Sequence, residues 1–327
     1  MHSPVRRKLL AVSWTLLALA FLLTESAVAG NGGIAPPEPA SPSADRIRDA
    51  YWLVLGFTGA IFVLVEGALL LFILRYRSRG RSREVEGPQV VGHHRLEIIW
   101  TVIPVLILVV IGGFVFYKLP GVTDTPDANA AGKKIQIKVQ GRQFYWNYVY
   151  PNGRVAVNEL RVPVGRIIEL ELTAPAFDVI HSWWVPRLAG KKDAIPGKVN
   201  TLWFEAEAPG LYEGQCAEYC GAQHALMYAS VRAVPQAAYY RWIGGPPLGL
   251  GEQTWQGACA PCHGDKGQGL IGPPLAGRAL DPEQVRTIVT TGRGAMPAVG
   301  KGWDDTQLNA LIAYVTQQIG QRTPGGG

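Results

Sequence analysis

Soft ligands for transition metals are concentrated in one short stretch of this sequence. Cys216 and Cys220 are four residues apart, His224 follows after four more, and Met227 after three more. His181 lies upstream in a segment of its own. Thiolate, imidazole and thioether groups at such spacing favour copper. The chain has three methionines and one of them closes this cluster, so we interpret Met227 as a ligand rather than as core filler.

Two other interpretations of this cluster are open on the residues alone. Cys216 and Cys220 could form a disulfide in an oxidising compartment. The same side chains could instead hold a single zinc or copper ion. The added His and Met residues argue against a disulfide or a simple ion site, because neither needs so many soft ligands.

A second metal motif lies near the C-terminus. The run Cys259-Ala-Pro-Cys262-His263 is the attachment sequence of c-type haem, in which two thiols add to the vinyl groups and the His binds iron. A redox dithiol or half of a zinc site would also use two cysteines at this spacing, but the adjoining His favours haem. We expect Met296, 33 residues beyond His263, to be the second axial ligand. The two motifs use all four cysteines, which leaves none for a structural disulfide.

The composition requires a membrane portion as well. Of the 327 residues, 48% are hydrophobic and 17% charged, which is too apolar for a soluble protein of this size. Residues 51–74 and 98–117 can each cross a bilayer core about 30 Å thick, so we predict a two-helix hairpin over 48–119. Five arginines over 75–83 place the loop 75–97 in the cytoplasm. Basic residues concentrate in this loop and the leader, so the net charge of +6 does not indicate nucleic-acid binding.

The N-terminus has the pattern of an export signal. Basic residues, an apolar run and the small residues Ala27-Val28-Ala29 follow one another, and we predict a signal peptide over 1–29 that is cleaved after Ala29. A retained membrane anchor is the alternative, although the apolar run is short for a span. Residues 30–47, rich in Pro, Gly and Ala, are predicted to be an extended tether.

Two further domains follow the hairpin. Over 120–240, apolar residues that alternate with period two predict the strands of an all-β Greek-key domain. The predicted strands are 135–139, 161–164, 167–173, 201–205 and 227–231. A Gly- and Pro-rich joint, 241–251, should be flexible. Predicted helices at 253–259, 281–290 and 305–319 indicate an all-α domain over 252–320, and a flexible tail, 321–327, ends the chain.

Together these features resemble a known family. His181 and the run from Cys216 to Met227 resemble the binuclear copper A site of cytochrome c oxidase subunit II, and the C-terminal motif resembles a class I cytochrome c. The resemblance implies a multidomain membrane protein with a transmembrane hairpin, a cupredoxin domain and a fused cytochrome c domain. It implies that Cys216 and Cys220 bridge both coppers, that His181 and His224 each bind one, and that Met227 is a weak axial ligand of the His181 copper.

The resemblance also implies roles outside these ligands. The Glu218 carbonyl would bind the second copper, and its carboxylate a magnesium ion shared with the large subunit. Glu97, at the start of the second span, matches the residue at the mouth of a proton path into that subunit, whereas its position alone makes it a helix-terminal charge. Phe144, Tyr145 and Trp146 match the family's electron relay, with Phe144 where most members have an exposed Trp, although such a run also suits a packed core.

The function implied is electron input to a respiratory oxidase in a bacterial plasma membrane. The chain would accept electrons through haem c and pass them through copper A to subunit I, which reduces oxygen to water and pumps protons. The implied partners are subunits I and III, an upstream cytochrome c or bc1-type donor, and the lipid bilayer. The alternatives are the copper A subunit of a nitric oxide reductase and a stand-alone membrane-anchored electron carrier or copper store. A quinol oxidase subunit would lack the copper ligands.

Overall fold

A computed structural model describes residues 35–77, 89, 92–126, 134–245 and 248–322. The predicted signal peptide and its cleavage point lie outside these residues. So do most of the arginine-rich loop and most of the predicted tail.

Two long helices form the hairpin. α1 runs over Pro42–Tyr76 and α2 over His94–Lys118, and a short helix, α3, follows at Pro120–Thr123. Both long helices are apolar enough to cross a membrane, and the apolar side chains along their middle are exposed, as lipid-facing side chains must be. The Lys118 ammonium pairs with the Asp49 carboxylate at 2.7 Å and ties the two helices together. The predicted two-helix hairpin is confirmed.

The predicted tether is partly built into the fold. α1 begins at Pro42, earlier than expected, and just before it Ala40 donates a backbone hydrogen bond to Arg187 O at 2.8 Å. Ser41 is fully buried, and its hydroxyl accepts a hydrogen bond from Glu205 N at 3.2 Å. The prediction of an extended tether is therefore wrong for its C-terminal part. Composition could not reveal this, because pairing with a distant strand leaves no compositional mark.

Three small sheets build the β domain. The strands are β1 Lys134–Arg142, β2 Tyr145–Val149, β3 Val155–Val157, β4 Glu159–Pro163, β5 Ile167–Thr173, β6 His181–Trp184, β7 Lys192–Ala194, β8 Asn200–Glu205, β9 Gly210–Tyr212, β10 Gln215–Cys216 and β11 Ser230–Val234. The sheet orders are β3-β2-β1-β5-β8, β10-β6-β7 and β4-β11-β9. Two pairs, β1 with β5 and β4 with β11, are parallel, so the chain must cross over between them. Helix α4, Gln236–Ile243, ends the domain.

The core of the β domain follows the predicted alternation. On β1, Ile137 and Val139 are fully buried while Gln136 and Lys138 are exposed. Period-two burial of this kind places one face of a strand in the core. The strand predicted over 227–231 is displaced, since β11 begins only at Ser230. Met227 belongs instead to the loop that carries the metal-type residues.

The helical domain has a separate small core. α5, Leu250–Thr254, continues through a wide π-helical turn, Trp255–Cys259, into α6, Ala260–His263; α7 covers Pro282–Thr291, and α8, Asp305–Tyr314, continues through Val315–Ile319. The side chains of Trp255, Leu308, Leu311 and Val315 are buried together. Hydrophobic residues at helical spacing on α8 thus face the first helix, as their period predicts.

The joint between the two domains is more ordered than its composition suggests. α4 extends into its first residues and α5 begins within its last two. Asn152 donates to Ile243 O at 2.9 Å, and Arg154 Nη1 donates to Gly245 O at 2.8 Å. The prediction of a flexible joint over 241–251 is therefore wrong for these ordered ends. A segment rich in Gly and Pro is predicted to be flexible from its composition. Composition does not show that Asn152 and Arg154 of a distant segment bind its backbone.

Candidate copper and haem sites

The predicted copper ligands, which we call the copper-type residues, lie at one end of the β domain. They are His181, Cys216, Cys220, His224 and Met227. His181 opens β6 and Cys216 closes β10, and the antiparallel pairing of these strands brings the loops together. Cys220 lies in the following loop, and one 3-10 turn, His224–Leu226, leads to Met227. A hydrogen bond from Cys216 N to Met227 O at 2.8 Å closes the loop.

The ligand atoms converge on one largely buried space. Cys216 Sγ and Cys220 Sγ are 4.0 Å apart, and Cys220 Sγ lies 3.8 Å from Met227 Sδ and 3.6 Å from His224 Nδ1. Ligand atoms of His181, Cys216 and Cys220 all lie within 4.8 Å of one another. A disulfide needs sulfur atoms about 2.05 Å apart, so the geometry does not support that alternative.

A test of whether a metal fits comes from His181. Its ring is fully buried, and Nδ1 has no hydrogen-bond partner among the residues that the structure describes. A buried polar atom left unpaired is costly, so a ligand for Nδ1 is expected. The opposite ring nitrogen, Nε2, lies 3.0 Å from Asp178 Oδ1. Imidazoles that bind metals usually have their second nitrogen oriented in this way, so the site fits a metal on Nδ1.

Glu218 lies between the two cysteines of the loop. Its carbonyl oxygen is 3.2 Å from Cys216 Sγ, within the cluster of ligand atoms. Its carboxylate is about half exposed and lies 3.9 Å from the Lys191 ammonium. In the described ranges, no three-residue cluster of metal-type side chains includes this carboxylate. A magnesium ion there would need oxygen ligands from another source.

Hydrogen bonds within the cluster shift the two thiol pKa values in opposite directions. Contact with the Cys220 thiol lowers the pKa of Cys216 far below its usual range, and the nearby His181 ring adds to the effect. The neighbouring Cys216 raises the pKa of Cys220. Burial lowers the pKa of His181, but the hydrogen bond with Asp178 and the nearby Cys216 thiolate outweigh this and raise it. The site therefore holds one thiolate readily, and the thiolate is the metal-binding form.

The haem-type motif lies where the wide turn meets α6. Cys259 and His263 are buried, and Cys262 is partly exposed. His263 Nδ1 hydrogen-bonds Pro273 O at 2.8 Å, which orients the ring and leaves Nε2 as the nitrogen for a metal. The backbone at Gly272 approaches so closely that a Cβ there would lie 2.8 Å from His263 Cε1. A glycine is needed at this contact for that reason.

Met296 lies on a turn beside the same core. Hydrogen bonds in both directions between Met296 and Arg293, each 3.0 Å, close the turn, and Gly292 begins it with φ of 79°. The Met296 side chain packs against the buried cluster that contains Cys259 and Trp255. The structure thus brings a thioether, an imidazole and the attachment thiols to one small domain, which fits a haem with His and Met ligands.

The aromatic run contacts both domains. A Cβ built on Gly221 of the copper-type loop would lie 3.1 Å from the Phe144 ring, so this ring covers the loop backbone. Trp146 is buried and meets the His181 ring edge to face, with centroids 6.0 Å apart. Tyr145 is also buried, and it faces the helical domain, since adjacent residues of a strand point to opposite sides. Tyr145 and Trp146 therefore have packing roles whether or not they carry electrons.

Glu97 lies in the first turn of α2. Its Oε1 accepts a hydrogen bond from His93 N at 3.2 Å, and its Oε2 lies 3.2 Å from His94 Nδ1. These contacts make it a cap of the helix N-terminus, which is the role that its position alone predicts. A proton-path role requires a partner subunit and stays a prediction.

Three residues that hydrogen-bond to the predicted ligands were not predicted themselves. Asp178 and Pro273 orient the two histidines, and Gln143 donates to Cys220 O at 2.5 Å. The position of Asp178, three residues before His181, is a local signal that could have indicated its contact. Gln143 and Pro273 have no such signal, because each reaches its partner only through the folded arrangement of loops.

Known protein families match three segments of the chain. The chain matches the family described as Cytochrome C oxidase subunit II, transmembrane domain, over residues 29–117, and that of the periplasmic domain over 154–234. Residues 247–315 match Cytochrome C oxidase, cbb3-type, subunit III. The cytochrome c oxidase subunit 2 of Alkalihalophilus pseudofirmus is 33% identical over 343 residues, which covers 94% of this chain and 98% of that protein. The chain belongs to the cytochrome c oxidase subunit II family.

Other members of the family match parts of the chain. The protein from Cereibacter sphaeroides is 30% identical over 251 residues, covering 65% of this chain and 80% of that protein. Among solved structures, the periplasmic domain of subunit II of cytochrome oxidase from Bradyrhizobium japonicum is 34% identical, with a TM-score of 0.33, and covers 36% of this chain and 94% of that one.

Family membership confirms the general architecture. The chain is a membrane-anchored subunit of a haem-copper oxidase, with a cupredoxin domain on the outer face and an added cytochrome c domain. The first of these domains implies copper A and the second implies haem. The subunit II assignment implies a catalytic subunit I as partner, in which the oxidase reaction takes place.

Proposed function

We propose that the chain is the electron-input subunit of a cytochrome c oxidase, which receives electrons at a covalent haem c and delivers them through a binuclear copper A centre to subunit I. One contact between the copper-type loop and the haem-type motif supports this proposal best. Gln223, next to the copper-type His224, has its amide nitrogen 3.9 Å from Cys262 Sγ in the haem motif. Electron transfer between two one-electron sites requires the sites to lie close together. A copper store or a structural zinc site has no need of a neighbouring haem.

The copper-type residues would act as a buried, soft ligand set. A copper pair held by these side chains would supply one-electron redox chemistry. The residues that would hold them are His181, Cys216, the carbonyl of Glu218, Cys220, His224 and Met227. The chain keeps water away from this set, since Cys216, Cys220 and Met227 are each no more than 3% exposed. Asp178 fixes the His181 ring, so the ligand is oriented before any metal arrives.

The haem-type residues divide into attachment and iron ligands. Cys259 and Cys262 would form the two thioether links, and His263 and Met296 would be the iron ligands. A His and Met pair raises the potential of a haem relative to two His ligands, which suits electron input to an oxidase. Pro273 sets the orientation of the His263 ring through Nδ1.

Further roles depend on partners. We propose that the Glu218 carboxylate shares a magnesium ion with subunit I, that Glu97 lies at the mouth of a proton path, and that Phe144, Tyr145 and Trp146 form a relay beside the copper loops. The complex would lie in a bacterial plasma membrane with subunits I and III. Its electrons would come from a soluble cytochrome c or a bc1-type donor.

A kinetic experiment on the purified complex tests the proposal. An electron is injected photochemically into haem c, and the haem and copper absorption bands are followed. Haem oxidation should coincide with copper reduction at a rate that does not depend on protein concentration, because the transfer is within one chain. In Cys220→Ser, which should lose copper but keep covalent haem, the haem should stay reduced. A rate that rises in proportion to added soluble cytochrome would contradict the proposal.

Oxidase and nitric oxide reductase activity are separated by assays of the same complex. Consumption of O2 without significant NO consumption supports the oxidase assignment. The opposite preference would favour the nitric oxide reductase. If no haem-bearing large subunit co-purifies after mild solubilisation, the stand-alone carrier is favoured.

A further inference from the structure

Gln307 of α8 is a polar residue buried at the contact between the haem domain and the copper domain. Its side-chain oxygen accepts a hydrogen bond from Arg142 Nη1 at 2.9 Å, and its nitrogen donates to the Tyr145 hydroxyl at 3.2 Å. Both of these partners belong to the copper domain. A third, longer contact at 3.5 Å joins Gln307 to Thr254 within its own domain. Both ends of one amide are thus occupied across the domain boundary.

The position of Gln307 in its helix does not account for this contact. Asp304 caps α8, and its carboxylate accepts a hydrogen bond from Gln307 N at 2.8 Å. At this position a Gln side chain commonly reaches back to the cap backbone. Gln284 holds the same place in α7, with its backbone N bonded to the cap Asp281 at 2.7 Å, yet its side chain is exposed. The two glutamines share a capping position and differ in their contact with the copper domain.

The surfaces around Gln307 approach closely. A Cβ on Gly257, which lies in the turn just before the attachment cysteine Cys259, would be 2.5 Å from the Tyr145 ring. No side chain fits between the turn and the ring in this arrangement. Gly302 shows a second close approach, since a Cβ there would lie 3.1 Å from the Phe177 ring. Backbone of the haem domain therefore rests directly on aromatic rings of the copper domain.

Tyr145 connects this contact to the loop that carries the copper-type residues. Tyr145, which Gln307 binds, follows Phe144, whose ring covers Gly221 of the copper loop. On the same side, Gln223 reaches Cys262 of the haem motif. A shift of the haem domain on the copper domain would change the Gln307 and Gln223 contacts together.

We infer that Gln307 is a positioning residue that holds the haem domain on the copper domain in one docked arrangement. The inference rests on the proposed electron transfer between these domains. A tether alone gives an effective concentration of about millimolar and many orientations. The amide of Gln307, bonded at both ends, selects one orientation in which Cys262 lies against Gln223.

The expected effect of Gln307→Ala follows from the two lost hydrogen bonds. Their net loss lowers the ratio of docked to undocked molecules about tenfold. Hydrogen–deuterium exchange of the segment 250–257, measured on the intact purified complex, should therefore speed up by about tenfold. Photoinjected electrons should show an added slow phase of transfer that depends on solvent viscosity, because undocked domains must first meet. The haem and copper potentials should not change.

Gln284→Ala is the matched control, since it removes the same amide from the same capping position and leaves the interface intact. It should exchange and transfer electrons as the wild type does. Arg142→Met tests the contact from the copper domain and leaves α8 untouched. It removes one of the two hydrogen bonds, so exchange should change in the same direction by a smaller factor, even if Gln307→Ala loses its haem. Wild-type exchange in both Gln307→Ala and Arg142→Met would overturn the inference, as would an equal effect in Gln284→Ala. An absence of haem-to-copper transfer in the wild type would refute the proposed function, while the exchange data would still test the docking.

Discussion

Replacement of Met227 by leucine separates a metal ligand from a core side chain. Met227 is 1% exposed, and its sulfur lies 3.8 Å from Cys220 Sγ. Leucine has nearly the same volume and lacks the sulfur, and swaps of this kind cost less than about 1.5 kcal/mol. Truncation to alanine would instead cost about 2–5 kcal/mol through the cavity. The leucine variant should therefore fold, so that a changed metal site reports the lost thioether.

The assay combines thermal unfolding, EPR and a redox titration of the copper. The unfolding temperature should fall by less than about 10 °C. Both coppers should remain, because the two thiolates and two imidazoles are unchanged. The copper EPR pattern and the reduction potential should both change, because a weak axial ligand tunes a copper–thiolate site.

The matched control is Leu170→Met, the reverse exchange at a fully buried position of β5. It should have a similar small cost in stability and no effect on the copper spectrum. The reasoning is refuted if Met227→Leu leaves both spectrum and potential unaltered. It is refuted equally if Leu170→Met alters them as strongly, since a change in how the buried side chains pack would then explain the result.

Three other predictions address the remaining elements. In Met296→Leu, haem should stay covalently attached while its potential falls, because the thioether ligand is lost; a redox titration with unchanged potential would exclude Met296 as ligand. Burial raises the pKa of Glu159, but hydrogen bonds from Arg232 outweigh it and hold the pKa below its ordinary value. That stabilisation is complete above the unfolded-state pKa and is lost as the pH falls through the lower folded-state pKa. Urea unfolding should therefore show wild type more stable than Glu159→Gln at neutral pH, with a difference that shrinks as the solution is acidified. Asp281→Ala removes the cap that accepts from Gln284 N at 2.7 Å and should cost the haem domain about 0.5–2 kcal/mol, with a wild-type melting curve as the contrary result.

The two ligand sets could be proposed from sequence because their chemistry is local. Cys216 to Met227 and Cys259 to His263 are short runs, so their spacing indicates a metal site in each, and the family resemblance adds the distant His181 and the individual ligand roles. The strands were predictable for a similar reason. On β1, the alternation of Ile137 and Val139 with polar neighbours marks the buried face directly.

Contacts between distant segments could not be predicted in this way. Asp178 has a sequence neighbour at the site, whereas Pro273 reaches His263 through its carbonyl, which every residue has. Gln307 has the pattern of an ordinary helix cap, and only the folded chain shows its amide between two domains. The buried Ser41 of the predicted tether is a further case, since its partner lies on a strand far along the sequence.

The central claim is that the soft ligands of the outer domains carry single electrons between two metal centres. Metal analysis and EPR of the purified subunit test it most directly. The account predicts two coppers and one haem iron per chain, with the oxidised copper pair sharing one unpaired electron equally. A single zinc or copper ion, or a Cys216–Cys220 disulfide with no metal, would contradict it.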